Sequence, residues 1–232
     1  MSRWQQAFQN GNGPDWCWLP GWSFAGTVFA QYWSELPGTH WYADYNDMAM
    51  NFSDMVSELA DTAPADAVWC GWSLGGALAS LAADQAGARA LVTFATGSTF
   101  LQSGDNSGMA PDDFAQFTES MQEDPGRTLR RFISLCCQHS DEARPLQRFL
   151  SDHQYPEHQR LQHTLQWLTT YELTPAPTLR GGHWYSTADA LHPQGLQPSL
   201  HCAAGSHGFA FSSQGQAQII TWFREVLLGT KE

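Results

Sequence analysis

The chain has 232 residues, 42% of them hydrophobic and 15% charged, which suits one folded domain with a small inserted subdomain. Its formal net charge of −12 excludes a whole-chain nucleic-acid binder, because such proteins usually carry net positive charge. Five cysteines without a C-x-x-C pair are typical of free thiols in a reducing compartment. Residues 1–13 are polar, and nothing resembles a secretion signal or a membrane span. We therefore expect a cytoplasmic protein without nucleic-acid or membrane partners.

Strand-like runs and helical patterns alternate along the first half of the chain, and no first β-hairpin is evident before them. The predicted strands cover 16–20, 39–45, 66–71 and 90–96. The predicted helices cover 24–36, 48–60 and 74–86. This alternation predicts an α/β fold with a mostly parallel central sheet flanked by helices.

The second half of the chain begins with a different pattern of apolar residues. Residues 111–171 contain four helical stretches in succession, with no strand-like run between them. Strand patterns return near 178–185 and 199–203, and a last helix is predicted over 216–228. We therefore divide the chain into a core, residues 1–110 and 172–232, and an inserted four-helix lid, residues 111–171.

A G-x-S-x-G motif, Gly71-Trp72-Ser73-Leu74-Gly75, joins a predicted strand to a predicted helix. An apolar strand before the serine and a helix of small residues after it are the context of a nucleophile elbow. The strained turn at Ser73 requires small neighbours, and the helix N-terminus behind it favours developing negative charge. The alternative is a glycine-rich turn without chemistry. We predict that Ser73 is the nucleophile of an α/β-hydrolase fold.

A serine nucleophile needs a base and an acid, which follow it in the order Asp or Glu, then His, in this fold. Asp189 is the only aspartate after Asp152, and it follows a predicted strand. The alternative acids, both in helical patterns, are Glu172 and Glu225. His207 lies in a Gly-Ser-His-Gly-Phe loop before the last helix. The other downstream histidines are His192, which is too close in sequence to Asp189, and His201, which falls in a strand. We predict that His207 is the base and that Asp189 fixes its tautomer.

The tetrahedral intermediate of such a reaction needs two backbone N–H donors. One is expected from Leu74, the residue after the nucleophile. The other is expected from Trp22, in the Pro20-Gly21-Trp22-Ser23 turn after the first predicted strand, where glycine permits close approach. Without the elbow, this segment would be an ordinary turn.

From about Trp18 onward the chain resembles the pimeloyl-ACP methyl ester carboxylesterases of biotin synthesis, the BioH type. The resemblance rests on the Gly-Trp pair at 21–22 and on residues 69–76, 90–95, 189–193 and 204–209. It implies a serine ester hydrolase with a helical lid and no metal or organic cofactor. The scaffold departs from the family in being shortened, both between Gly21 and Ser73 and between Asp189 and His207.

The resemblance also implies a binding site for an acyl carrier protein and its acyl chain. Family members carry arginines that grip the acidic carrier at the positions of Arg127, Arg131, Arg144 and Arg148. Phe132 falls at an acyl-pocket position, with Trp22 beside it. Independently, each arginine pair has i, i+4 spacing and shares a helix face. The alternative is a set of solvated faces on which the arginines pair with Glu123, Asp124, Asp141 and Glu142.

Together these patterns predict a monomeric carboxylic ester hydrolase that cleaves pimeloyl-ACP methyl ester to pimeloyl-ACP and methanol. One alternative is a general short-chain carboxylesterase or a C–C bond hydrolase on the same scaffold. A further alternative, from a different class, is a catalytically silent binding protein. The complete set of Ser73, Asp189 and His207 argues against that last alternative.

Overall fold

The computed structural model describes residues 3–104, 108–173, 179–191 and 200–229. In these ranges the strands are β1 Trp4–Asn10, β2 Asp15–Leu19, β3 Gly38–Ala43, β4 Val68–Trp72, β5 Ala90–Phe94, β6 Gly181–Ser186 and β7 Leu200–Ala203. The helices are α1 Ala30–Trp33, α2 Phe52–Thr62, α3 Leu74–Gln85, α4 Pro111–Glu123, α5 Pro125–Cys137, α6 Ala143–Asp152, α7 His158–Leu165 and α8 Ser213–Trp222. The predicted α/β fold is confirmed.

The strands form one sheet in the order β1-β3-β2-β4-β5-β6-β7. Every neighbouring pair is parallel except β1 with β3, which is antiparallel. The central strands β4 and β5 are buried along their whole length, as expected for parallel strands covered by helices on both faces. Because the strands from β2 to β7 run the same way, their carboxyl ends meet at one edge of the sheet, where ligands bind in open α/β folds.

The polar N-terminal segment, for which no element was predicted, forms the edge strand β1. β1 pairs with β3 and not with β2, so β1 and β2 do not form a hairpin. Trp4 is buried, whereas Gln5 and Gln6 are exposed, as on an edge strand that faces solvent. The polar composition reflects this edge position.

The predicted helix over 24–36 was wrong in its geometry. The segment forms a 3-10 turn, Gly26–Phe29, followed by the single turn of α1. The four-residue apolar spacing nevertheless identified buried side chains, because Phe24, Val28 and Tyr32 are all in the core. The ring of Tyr42 packs so closely on Gly26 that a Cβ there would lie 2.3 Å from it.

The four helices predicted for the insertion, α4 to α7, follow one another between β5 and β6. Their apolar faces are buried; Phe132 on α5 and Leu150 on α6 are examples. The insertion is joined to the core by a β-bridge between Phe24 and Gln154. Among the described helices, none is long and apolar enough to cross a membrane.

Candidate active site

Ser73 stands in a tight turn between β4 and α3, at the carboxyl edge of the sheet. Its backbone has φ 54° and ψ −119°, a conformation that costs a non-glycine residue about 1–3 kcal/mol. The Ser73 N–H donates to the Phe94 carbonyl at 2.8 Å, which ties the turn to β5. A Cβ on Gly71 would lie 2.4 Å from the Gly75 carbonyl oxygen. The glycines of the motif are therefore required by the close approach of helix and strand.

Asp189 and His207 form a buried hydrogen-bonded pair. The Nδ1 atom of His207 lies 2.7 Å from Oδ2 of Asp189, and both side chains are almost wholly buried. The other carboxylate oxygen of Asp189 accepts the Leu191 N–H at 2.8 Å. The Nε2 atom of His207 is buried and has no hydrogen-bond partner among the described residues. His207 and Ser73 line the same small cavity.

The alternative acids and bases are placed elsewhere. Glu172 and Glu225 are exposed. His201 lies in β7, where its ring packs against Trp184 at 4.8 Å. His192 lies outside the described residues. Of the candidates that the structure describes, it therefore brings together Ser73, Asp189 and His207.

The proposed oxyanion donors lie where β2 meets the start of α3. Residues 21–24 form a turn in which the Phe24 N–H donates to the Gly21 carbonyl at 3.2 Å and Ser23 has φ 73°. A Cβ on Gly75 would lie 2.2 Å from the Pro20 carbonyl oxygen, so the first turn of α3 rests directly on this segment. Leu74 is the first residue of α3, where backbone N–H groups have no intrahelical acceptor. The turn with Trp22 and the helix start with Leu74 are thus adjacent.

Two cavities meet at Leu191. The cavity at Ser73 and His207 measures about 10 Å³, which is close to the minimum for one water molecule. A cavity of about 530 Å³ lies against the helical insertion, with Phe117 and Phe132 in its wall. Leu191 borders both cavities and is almost wholly buried. The sequence analysis missed this residue, although its position two residues after Asp189 was an available signal.

Phe132 and Trp22 pack against each other; Phe132 lines the larger cavity, whereas Trp22 is buried outside its wall. Their ring centroids are 5.2 Å apart in an edge-to-face arrangement. The indole N–H of Trp22 donates to the Leu161 carbonyl of α7 at 3.0 Å, which fixes the ring against the insertion. Phe117, which was not predicted as a site residue, packs against both rings.

The four predicted arginines line one surface groove of about 500 Å³ between α5 and α6. They are Arg127, Arg131, Arg144 and Arg148, and Arg130 joins them. None of the ion pairs found among the described residues involves these five side chains. Asp124 instead accepts the backbone N–H of Arg127 as a helix cap, and Glu142 accepts the backbone N–H of Ser213. Among the described residues, the side chains of these arginines therefore form no ion pair with the neighbouring carboxylates, and five guanidinium groups line the groove.

The cysteines near the site are poor competitors for the role of nucleophile. Burial raises the pKa of the Cys136 thiol well above its ordinary value, because desolvation disfavours the thiolate. Cys70, on the strand that leads to Ser73, is affected in the same way. In the part of the chain that the structure describes, no group of three or more His, Cys, Asp or Glu side chains could hold a metal ion.

Comparison with known proteins agrees with this geometry. Residues 7–218 match the profile of the alpha/beta hydrolase family. A pimeloyl-[acyl-carrier protein] methyl ester esterase of Yersinia pseudotuberculosis is 32% identical, over 73% of this chain and 68% of the relative. Another, from Vibrio vulnificus strain YJ016, is 30% identical over 91% of this chain and 90% of the relative.

Solved structures show the same fold at low identity. A hydrolase from Oleispira antarctica superposes with a TM-score of 0.74 at 13% identity, covering 95% of both chains. BioG from Haemophilus influenzae superposes with a TM-score of 0.62 at 14% identity, covering 93% of this chain and 99% of the other. The chain therefore belongs to the alpha/beta hydrolase family, among the relatives of the pimeloyl-[acyl-carrier protein] methyl ester esterases, and is a carboxylesterase.

Proposed function

We propose that this protein hydrolyses pimeloyl-ACP methyl ester to pimeloyl-ACP and methanol in biotin synthesis. The main supporting observation is that His207 pairs with Asp189 and lines one cavity with Ser73, next to a larger cavity that shares Leu191 with it. The similarity to the esterases of Yersinia pseudotuberculosis and Vibrio vulnificus supports the choice of ester.

In the proposed first step, the Ser73 hydroxyl attacks the methyl ester carbonyl while His207 Nε2 takes its proton. Asp189 holds the opposite ring nitrogen and stabilises the imidazolium that forms. The negative charge on the carbonyl oxygen is held by the Trp22 and Leu74 backbone N–H groups. Collapse of this intermediate expels methoxide, which leaves as methanol with the proton from His207, and an acyl-enzyme remains.

In the second step, His207 takes a proton from water, and the hydroxide formed attacks the acyl-enzyme carbonyl. The ester bond to Ser73 breaks, and the proton on His207 returns to the serine oxygen. The product carries a free carboxyl group at the far end of its acyl chain. The serine and the histidine are regenerated without any oxidant, reductant or metal.

The substrate would be held at two places outside the triad. The cavity lined by Phe117 and Phe132 receives the acyl chain, since its wall is partly aromatic, and Trp22 supports the Phe132 ring from behind. The arginine groove receives the acidic carrier, because opposite charge steers and orients association. The helical insertion, residues 111–171, then acts as a lid that presents the carrier to the site. The chain works as a monomer in the cytoplasm.

Complementation tests the pathway and the nucleophile together. Wild type, Ser73→Ala and Ser80→Ala are expressed in a bacterium that lacks its own pimeloyl-ACP methyl esterase, on biotin-free medium. Ser80 is the matched control: a buried serine of α3 whose hydroxyl donates to the Gly76 carbonyl of the same helix. Growth is expected with wild type and Ser80→Ala but not with Ser73→Ala. Growth with Ser73→Ala would refute the proposed nucleophile.

A fluorophosphonate probe separates the remaining alternatives. Labelling of wild type without growth would leave a general carboxylesterase and remove the biotin assignment. Absence of labelling in folded wild type would favour the silent binding protein. Labelling of wild type and Ser80→Ala, with loss in Ser73→Ala, supports the proposed acyl-enzyme route.

A further inference from the structure

Trp72, the residue before the nucleophile, contacts the catalytic histidine directly. Its side chain is fully buried, and its indole N–H donates to the His207 carbonyl at 3.0 Å. Its ring centroid lies 5.6 Å from the His207 imidazole, and the indole is wedged between Phe24 and Phe211, each at 4.7 Å. The strand that presents Ser73 therefore also holds the backbone of His207.

The peptide group between His207 and Gly208 is held at both ends. Its carbonyl accepts from Trp72, and its N–H donates to the Cys136 carbonyl of α5 at 2.9 Å. The latter is one of the last carbonyls of α5, which lack intrahelical donors. Asp189 holds the imidazole Nδ1, and the Nε2 atom of His207 has no partner among the described residues.

Burial alone does not require this indole bond. Trp69 lies on the same strand and is equally buried, and its indole N–H has no partner among the described residues. The indole N–H of Trp184 on β6 is also unpaired in the part of the chain that the structure describes. This core therefore tolerates unpaired indoles, so the bond from Trp72 to His207 is not a general consequence of packing.

We propose that Trp72 is a positioning residue: its indole N–H fixes the His207–Gly208 peptide and so limits how far the His207 ring can move from Ser73, with which it shares a cavity. This inference rests on the proposed triad. A group that transfers a proton must lie within hydrogen-bond reach of it, and a displacement of about 1 Å can cost about 100-fold in rate. Loss of the donor should therefore reduce catalysis more than stability.

The test replaces Trp72 by 3-benzothienylalanine, in which sulfur takes the place of the indole N–H and the ring shape is retained. The same replacement at Trp69 is the matched control, since that N–H donates to no described residue. The assays are kcat and KM for p-nitrophenyl acetate, the rate of fluorophosphonate labelling, and Tm from circular dichroism.

At position 72 we expect kcat and the labelling rate to fall about 10-fold to 100-fold, with KM within about twofold of wild type. At position 69 both rates should stay within about twofold of wild type. A kcat at position 72 equal to that at position 69 would overturn the inference. Wild type and Ser73→Ala are assayed in parallel. Equal activity of these two would instead refute the proposed nucleophile, which separates the two failures.

Discussion

Replacing Gly75 by alanine would push a methyl group against backbone atoms of Leu19 and Pro20, at the end of β2 and just before the turn at Trp22. The added Cβ would lie 2.2 Å from the Pro20 carbonyl oxygen and 2.3 Å from the Leu19 carbonyl oxygen, whereas ordinary contacts begin at 3.4 Å. No side chain can rotate to relieve these contacts, because every close atom belongs to the backbone. The start of α3 and the end of β2 must therefore separate by about 1 Å.

Two consequences of different size follow from this separation. Overpacking of a tight contact costs about 1–3 kcal/mol in the free energy of unfolding. For a chain of this length, that loss lowers Tm by about 2–12 °C. The Leu74 and Trp22 N–H groups lie on the two segments that move apart, so kcat should fall further, by about 100-fold, as when one oxyanion donor is lost.

The measurement is kcat for p-nitrophenyl acetate with Tm on the same preparations. Gly126→Ala is the matched control, since its added Cβ meets the Arg130 guanidinium only at 3.4 Å and Asp124 at 3.8 Å in the first turn of α5. We expect this control to keep wild-type kcat and to gain about 0.5–1 kcal/mol of stability. A Gly75→Ala protein with kcat within about threefold of wild type would refute the assignment of these two N–H groups as the oxyanion hole.

Leu191→Ala should open the wall between the two cavities. The ratio of kcat/KM for p-nitrophenyl butyrate to kcat/KM for p-nitrophenyl acetate should then rise about 10-fold, and an unchanged ratio would contradict the shared wall. Arg127→Glu combined with Arg144→Glu should raise KM for the carrier-bound ester at least about 10-fold more than KM for p-nitrophenyl acetate, and added salt should shrink the difference. Equal losses on both substrates would argue against a carrier site. Burial lowers the pKa of His40 to about 4, because desolvation disfavours the imidazolium. The folded state therefore binds this proton less readily than the unfolded state, and stability is lost as pH falls from about 6.5 to about 4. Urea unfolding of wild type and His40→Gln should show a flatter pH dependence in the variant, and parallel curves would contradict this assignment.

Local sequence patterns were sufficient to predict the tight turn from β4 to α3 at Gly71–Gly75. Gly71 and Gly75 are small because the helix crosses the strand within backbone contact, and that requirement is visible as the spacing of the motif itself. The chain order also predicted Asp189 and His207 as a pair, and the structure joins these two side chains by a hydrogen bond, whereas Glu172 and Glu225 are exposed. The parallel sheet was predictable for a related reason, since its doubly covered strands are apolar throughout.

Features set by distant partners could not be predicted in this way. β1 is polar because it lies at the edge, and it is a strand because β3 offers it hydrogen bonds. The bond from Trp72 to His207 joins residues 135 positions apart, and no local pattern encodes it. The arginine groove was predicted as two i, i+4 pairs, but whether the arginines pair with nearby carboxylates depends on where Asp124 and Glu142 find other donors.

The helices that form the arginine groove are also bonded to the loop that carries His207 and to the segment after Trp22. The Cys136 carbonyl near the end of α5 accepts the Gly208 N–H, beside His207. The His153 carbonyl, directly after α6, accepts the Ala25 N–H in the segment that follows the turn at Trp22. A carrier protein bound in the groove, as proposed, would therefore stand at a set distance from Ser73, because a backbone hydrogen bond ties each helix to a segment beside the proposed site. An acyl chain attached to the carrier has a limited length, so this distance would decide which ester group arrives at Ser73. Selectivity for chain length would then depend on the spacing between the groove and Ser73 as well as on the cavity wall.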